Sequence, residues 1–282
     1  MLQAVGIRFA IARMDDDAGA GHALIVQTED ADRAREQLRR FATENRGWPP
    51  QPVVIPPMTS GVGAALVYAA LLIIAFIAQQ QSSWGIEWVR VGNADAALMR
   101  SGEWWRAITA LGLHGDGVHL AGNLLFGALF GVMLAQSVGA GSAWLVFLLA
   151  GAAGNMINAW WQAPSHSAIG ASTGVFGLLG AQAAVDWMRR GRVRLHPLRR
   201  WAPIIMGVAL LAWFGGSGDR DLGGPRVDIA AHVFGFLAGL VCGVPLATSR
   251  ATWLRTLRAQ SALVSLTLVA IVIAWALAVR GR

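Results

Sequence analysis

Lysine is absent from the 282 residues, and all 23 basic side chains are arginines. Charge of either sign is scarce: 14% of residues are charged and 55% hydrophobic, where soluble domains average about 25% charged. The single cysteine, Cys242, excludes an internal disulfide framework and a cysteine-rich metal site, and its place inside an apolar run fits a small buried side chain. No HExxH motif occurs and the histidines are scattered, which disfavours a zinc metalloprotease. No internal repeat is found and the candidate polar groups lie toward one face, which disfavours a transporter with inverted repeats around a midplane site. The first apolar run of spanning length begins only near Gly61, so no cleavable signal peptide is expected. The net charge of +7 does not mark a nucleic-acid binder, because the densest arginine cluster lies between two apolar segments, where it reads as a topology signal.

What the sequence does contain is bilayer-length apolar segments and a mean hydropathy of +0.49. Seven candidate spans are Gly61–Ala78, Leu120–Val138, Ala143–Trp161, Gly170–Trp187, Trp201–Phe214, Ile229–Thr248 and Ala262–Val279. The fifth is short and either extends through Gly215 and Gly216 or crosses a locally thinned bilayer. Residues 1–48 differ in composition, with seven Arg and eight Asp or Glu, and read as a small soluble ββα domain. Alternation of Val5, Ile7, Phe9 and Ile11 predicts a strand, Asp15 to Gly21 a turn, and Ala23 to Val26 a second strand. Thr28 is expected to cap a helix whose apolar face is Ala31, Ala34, Leu38 and Phe41. A stiff proline-rich linker follows at 49–60, carrying Pro49, Pro50, Pro52, Pro56 and Pro57. The expected fold is therefore an all-α polytopic membrane protein, a six-helix core at 61–248 with a seventh transmembrane helix at 249–282, behind a small α+β head.

Arg189, Arg190, Arg192, Arg194, Arg199 and Arg200 follow the fourth span, and Arg250, Arg255 and Arg258 follow the sixth. Both loops fall on one side of a seven-span chain, so the positive-inside rule makes that side, and the head with it, cytoplasmic. The segment from about 79 to 118 is then external, too apolar at Trp104, Trp105, Ile108, Leu111 and Leu113 for a solvated loop.

Polar side chains at membrane depth are expensive and call first for a functional explanation. His119 and Asn123 open the second span, Ser172 the fourth within Gly170-Ala171-Ser172-Thr173-Gly174, and His232 the sixth. All three spans run in one direction, so these groups share one outer depth. Gly170, Gly174, Gly177 and Ala181 on one span and Gly235, Gly239 and Gly243 on another form small faces at helical spacing, which let membrane helices approach closely. A histidine activates a serine only at hydrogen-bond distance, so such packing serves nucleophilic chemistry.

These residues resemble the rhomboid family of intramembrane serine proteases. Trp105-Arg106, then Thr109, His114, His119 and Asn123 match the family's WR pair and HxxxN element. Gly170 and Ser172 match GxSG, and Ala231, His232, Gly235 and Gly239 match AHxxGxxxG. The resemblance implies Ser172 as nucleophile and His232 as general base and later acid. It implies an oxyanion hole of His119, Asn123 and the Ser172 N–H, and an external segment holding Trp105 and Arg106 embedded sideways in the outer leaflet. Asp186 lies too deep to orient the histidine, so a dyad is expected. Asp228, one turn before His232, is either its orienter or a helix cap, and its place at the span's mouth favours the cap. His114 reads as an aqueous-facing structural hydrogen-bonder.

Three departures stand out: Thr173 replaces the second motif glycine, Phe176 stands where some members place a tyrosine against the catalytic histidine, and Ala135 stands where members often have Glu. The implied partners are transmembrane protein substrates and membrane lipids, with no nucleic acid, no metal and no cofactor. The implied location is a bacterial inner membrane with the site toward the outer face. The alternative is a catalytically inactive rhomboid-like chaperone or scaffold, which predicts a lost serine or histidine; both are present.

Overall fold

A computed structural model describes residues 2–16, 19–46, 58–190, 201–202, 204–209, 212, 228–249 and 252–280. The chain divides into two compact units, Met1–Pro56 and Pro57–Arg282.

In the first unit a 3-10 turn at Leu2–Val5 precedes β1 (Phe9–Asp16), β2 (Gly19–Val26), a 3-10 turn at Thr28–Asp30 and α1 (Ala31–Glu44). The ββα order is as expected, but three details differ. Val5 belongs to the 3-10 turn, which turns Leu2 and Ile7 inward onto Ala34 and Val26. The strands pair antiparallel through Met14↔Gly21, Asp15↔Ala20 and Asp16↔Gly19, so ladder hydrogen bonds run into the stretch expected to be a turn. Thr28 does not cap the helix: α1 starts at Ala31, and its Asp30 cap residue receives Arg33 at 3.2 Å instead of a helix N–H. Leu38 and Phe41 remain 37% and 50% exposed, which leaves the unit a thin core.

The second unit is helical. α2 (Val62–Gln80) leads into α3 (Trp88–Gly92), β3 (Ala94–Asp95), α4 (Ala96–Arg100) and α5 (Arg106–Thr109). Then come α6 (Gly117–Val138), α7 (Ala140–Trp161), β4 (Ser167–Ala168), α8 (Ser172–Arg190), α9 (Ile229–Thr248) and α10 (Leu257–Arg280). Among the described residues five helices are long and apolar enough to cross a membrane: α2, α6, α7, α9 and α10. α8, the expected fourth span, is 19 residues long but carries Gln182, Asp186, Arg189 and Arg190 at its far end. It is nonetheless the centre of the bundle, with Ala171, Leu178, Ala181 and Val185 fully buried beside or along it. Residues 201–202, 204–209 and 212 are helical. The rest of the expected fifth span, Arg192, Arg194, Arg199, Arg200 and Arg250, and the prolines of the linker lie outside the described residues.

The segment between α2 and α6 folds as short helices, none long enough to span, held together by Arg106. Its guanidinium, 5% exposed, donates to Glu103 at 2.7 Å, to the Asn93 side chain at 2.7 Å and to the Asn93 and Arg90 carbonyls. Thr109 Oγ1 donates to the Gly92 carbonyl at 2.7 Å, and Asn155 of α7 donates to Ala107 at 3.0 Å. The Arg106 and Thr109 bonds tie the short helices to one another, partly through carbonyls that short helices leave unsatisfied, and the Asn155 bond pins them to α7.

α8 and α9 are parallel and touch backbone to backbone. A Cβ on Gly235 would lie 2.2 Å from the Thr173 carbonyl oxygen, one on Gly239 2.0 Å from that of Gly177, and one on Gly243 2.6 Å from that of Ala181. Both sets step by four residues, so one ridge of α9 lies along one ridge of α8 in register. Gly239→Ala is therefore expected to cost about 1–3 kcal/mol and to lower the Tm in detergent. Gly63→Ala, whose added Cβ meets nothing within 4 Å, is the control and is expected to melt as wild type.

Candidate active site

The starts of α6, α8 and α9 converge on a cavity of about 1180 Å3 lined by His119, Asn123, Ser172, Phe176 and His232. His232 Nε2 lies 2.8 Å from Ser172 Oγ. The Phe176 ring stacks on His232 with centroids 4.5 Å apart and planes at 29°, so the aromatic contact survives without a tyrosine hydroxyl. His232 is buried, and its Nδ1 has no partner among the described residues.

Asp228 does not serve as that partner. Its Oδ1 accepts from the Ala231 N–H at 3.1 Å, which makes it the N-cap of α9. Its Oδ2 accepts from Asn158 at 2.6 Å and pairs with His166 at 2.7 Å. Asp186 accepts from Gln182 on its own helix, fourteen residues and about 21 Å along α8 from Ser172. Among the described residues Ser172 and His232 thus form a two-residue contact with no carboxylate behind it.

Ser172 is the first residue of α8, where backbone N–H groups have no partner within the helix. Gly170, two residues earlier, adopts φ +133, and a Cβ there would lie 2.7 Å from His119 Nε2. Backbone geometry and the imidazole both require glycine at this position. The Gly115 N–H donates to His119 Nδ1 at 3.4 Å, which leaves Nε2 as the protonated nitrogen of the neutral ring, turned toward Gly170 and Ser172. Asn123 lies one turn further along α6, buried, with Nδ2 unpartnered among the described residues. Donors from a helix start, an imidazole and an amide therefore border one volume beside Ser172 Oγ, the arrangement that stabilises a developing oxyanion.

The sequence-predicted residues Ser172, His232, His119, Asn123, Gly170 and Phe176 are brought together. Gly235 sits behind them, against the Thr173 carbonyl. Trp105 and Arg106 stand apart from the cavity, in the segment that frames it. Thr173 is accommodated because Gly154 of α7 and Gly235 leave room for its methyl group. Ala135 is fully buried beside Gly61, where a Cβ added to the glycine would lie 3.0 Å from the Ala135 methyl group. Among the described residues no three His, Cys, Asp or Glu side chains converge as metal ligands.

Three positioning groups escape the sequence reading. Asp116 caps α6 by accepting from the His119 N–H at 2.7 Å, and the Asp-Gly pair before the span was its signal. Tyr68, the one tyrosine, fits into the notch left by Gly127 and donates to the Asn123 carbonyl at 2.8 Å. Gln79 brackets the His114 backbone, donating to its carbonyl at 2.6 Å and accepting from its N–H at 3.1 Å.

His114 is a correction: it is fully buried rather than aqueous-facing, with its ring 5.1 Å from that of His119. Burial, and then repulsion from His119 once that ring is protonated, push its pKa down to about 4, against weaker pulls from the Gly112 carbonyl and Asp116. Between pH 6.5 and 4 the unfolded chain binds the extra proton, so this group's stabilisation is complete above 6.5 and lost as pH falls, by about 1.4 kcal/mol per unit. The Tm of wild type is expected to drop across that window, and His114→Gln to drop less steeply.

A family model described as Rhomboid domain matches residues 101–249. RHOMBOID-like protein 5 of Arabidopsis thaliana is 28% identical over 158 residues, covering 56% of this chain and 48% of that protein. Rhomboid-like protease 3 of Toxoplasma gondii is 32% identical over 158 residues, covering 54% and 56% respectively. Rhomboid protease GluP of Bacillus subtilis is 30% identical over 163 residues, covering 58% and 30%. The chain spans about half the length of the curated relatives it matches, or less.

Proposed function

The chain belongs to the rhomboid family, and from that premise we propose that it is an intramembrane serine protease that cuts transmembrane segments of other membrane proteins. The observation that carries this reading is the 2.8 Å contact between Ser172 Oγ and His232 Nε2 at the wall of the cavity.

In the proposed reaction His232 Nε2 takes the Ser172 hydroxyl proton as Oγ attacks the scissile carbonyl carbon. The carbonyl oxygen becomes an oxyanion held by His119 Nε2–H, Asn123 Nδ2–H and the Ser172 N–H. Collapse breaks the C–N bond, and the proton on His232 passes to the leaving amine, leaving an acyl ester on Ser172. Water then attacks the ester with His232 again as base, and release of the acid restores the hydroxyl. A helical substrate must unwind before its carbonyl reaches Oγ, so segments with small and helix-destabilising residues are the proposed substrates. A silent scaffold has no need of a serine bonded to a histidine at a cavity wall, and no observation favours that alternative.

The proposed setting is a bacterial inner membrane, with the cavity toward the outer face and residues 1–48 in the cytoplasm. Lipids and transmembrane substrates are the proposed partners.

Ser172→Ala and His232→Ala are each expected to abolish cleavage of a reporter transmembrane substrate and labelling by a fluorophosphonate, with the double mutant no worse. Asn123→Ala should lower turnover by roughly 10²-fold or less. Labelling that persists in Ser172→Ala would overturn the assignment. Deletion of residues 1–48 is expected to leave the rate within roughly tenfold of wild type, about 1.4 kcal/mol in barrier. A hundredfold loss at matched folded concentration would make head and core one cooperative unit.

A further inference from the structure

We infer that His166 is a positioning residue for the proposed hydrolysis: through Asp228 it ties the loop entering α8 to the start of α9 and so holds Ser172 and His232 at bonding distance. The inference rests on the serine-protease reading and adds to it a residue outside the family motifs.

The need for such a tie follows from where the glycine contacts stop. Gly243, Gly239 and Gly235 fix α9 against α8, but His232 lies almost one turn beyond Gly235, at the end that no backbone contact of this kind secures. The next attachment outward is Asp228. Its carbonyl accepts from the His232 N–H at 3.2 Å, and its carboxylate caps α9 at Ala231. A carboxylate only accepts, so His166 Nε2–H and Asn158 Nδ2–H both donate to Oδ2, at 2.7 and 2.6 Å. The two donors come from different elements, the 162–171 loop and α7.

That loop is stitched on its other side to the external segment. β4 pairs with β3, Ala96 N–H donates to the His166 carbonyl at 3.0 Å, and Gly170 N–H donates to the Ala110 carbonyl at 2.9 Å. None of these bonds reaches α9. Among the described residues the His166–Asp228 bond is the hydrogen bond that joins the loop to that helix. His166 precedes Ser172 by six residues and Asp228 precedes His232 by four, so one bond closes a short ring through both members of the dyad. The side chains are 26% and 13% exposed, which shields the pair from the screening that makes surface pairs weak.

The test uses the full chain, with fluorophosphonate labelling of Ser172 and initial rates on a reporter transmembrane substrate. His166→Leu is expected to lower kcat by roughly tenfold with KM within about twofold. His166→Gln, whose amide N–H falls near the place of Nε2, should recover most of that loss. Asp228→Asn keeps an acceptor for Ala231 and loses the acceptor for His166 and Asn158, and should match His166→Leu. The double mutant should be no slower than the slower single, as expected of one coupled unit. Wild-type kcat in His166→Leu, a His166→Gln no better than His166→Leu, losses that multiply, or a loss accounted for by a smaller folded fraction would each overturn the inference. Failure of wild type to label at Ser172 would overturn the protease reading instead, so the two failures are distinguishable.

Discussion

The carbonyls of Thr173, Gly177 and Ala181 each face a glycine of α9, and nothing larger than hydrogen fits at those three positions. Because the contact repeats every four residues on both helices, it fixes distance, direction and register together. With α8 and α9 parallel and in register, their first turns lie side by side, and a serine opening one meets a histidine in the first turn of the other. The same geometry brings two helix N-termini to one place, where their partial positive charge favours an anion. Asp228 takes up part of that potential at α9, while at α8 the first residue is Ser172 itself. A membrane interior offers no water to satisfy stray polar groups, so gathering them at helix starts limits the desolvation they impose.

The rest of the unit holds that pair of helices in a frame. Tyr68 seats α2 over Gly127 and fixes the carbonyl of Asn123, and Gly170 lets His119 approach the serine from α6. At the far end of the bundle Gln260 of α10 donates to Ser142 Oγ at 3.1 Å and accepts from the Ser142 N–H at 3.1 Å. Further along α10, Trp275 meets Trp88 edge to face with centroids 5.2 Å apart and fills the space over Gly92. Gly92 is also the acceptor for Thr109. α10 thus braces both the turn between α6 and α7 and the segment that ends beside His114.

The motifs were legible because they are local: His119 and Asn123 are one turn apart, and the glycines step by four, so a sequence displays each face whole. Ser172 and His232 could be matched because both stand at the same end of apolar runs. His166 was not legible, since its partner is 62 residues away and nothing in Ser165-His166-Ser167 sets it apart from a surface loop. Tyr68 and Gln79 were hidden for the opposite reason, as ordinary residues of an apolar helix whose polar atoms act only through contacts with other elements. The head misled by its short period: Val5, Ile7, Phe9 and Ile11 alternate, but Leu2 and Ile7 found a common core through a 3-10 turn instead. Thr28 had the chemistry of a cap, yet a turn of 3-10 helix moved the helix start past it.

The three departures from the family pattern show what the frame tolerates. Each exchanges one side chain while leaving the α8–α9 backbone contact alone. Thr173 adds a methyl group beside the nucleophile, and that group enters the α7–α9 contact at Gly154, so its bulk is absorbed behind the site. Phe176 keeps the ring face on His232 and gives up a hydroxyl, which preserves orientation by stacking. Ala135 gives up a carboxylate and gains close contact with Gly61, where the chain enters α2 with φ +71 and the Met58 N–H donates to the Gln136 carbonyl at 3.0 Å. Substitution is therefore permitted where a neighbouring glycine or a retained ring face preserves backbone spacing, and it is not permitted at Gly235, Gly239 and Gly243, where the neighbour is the backbone itself.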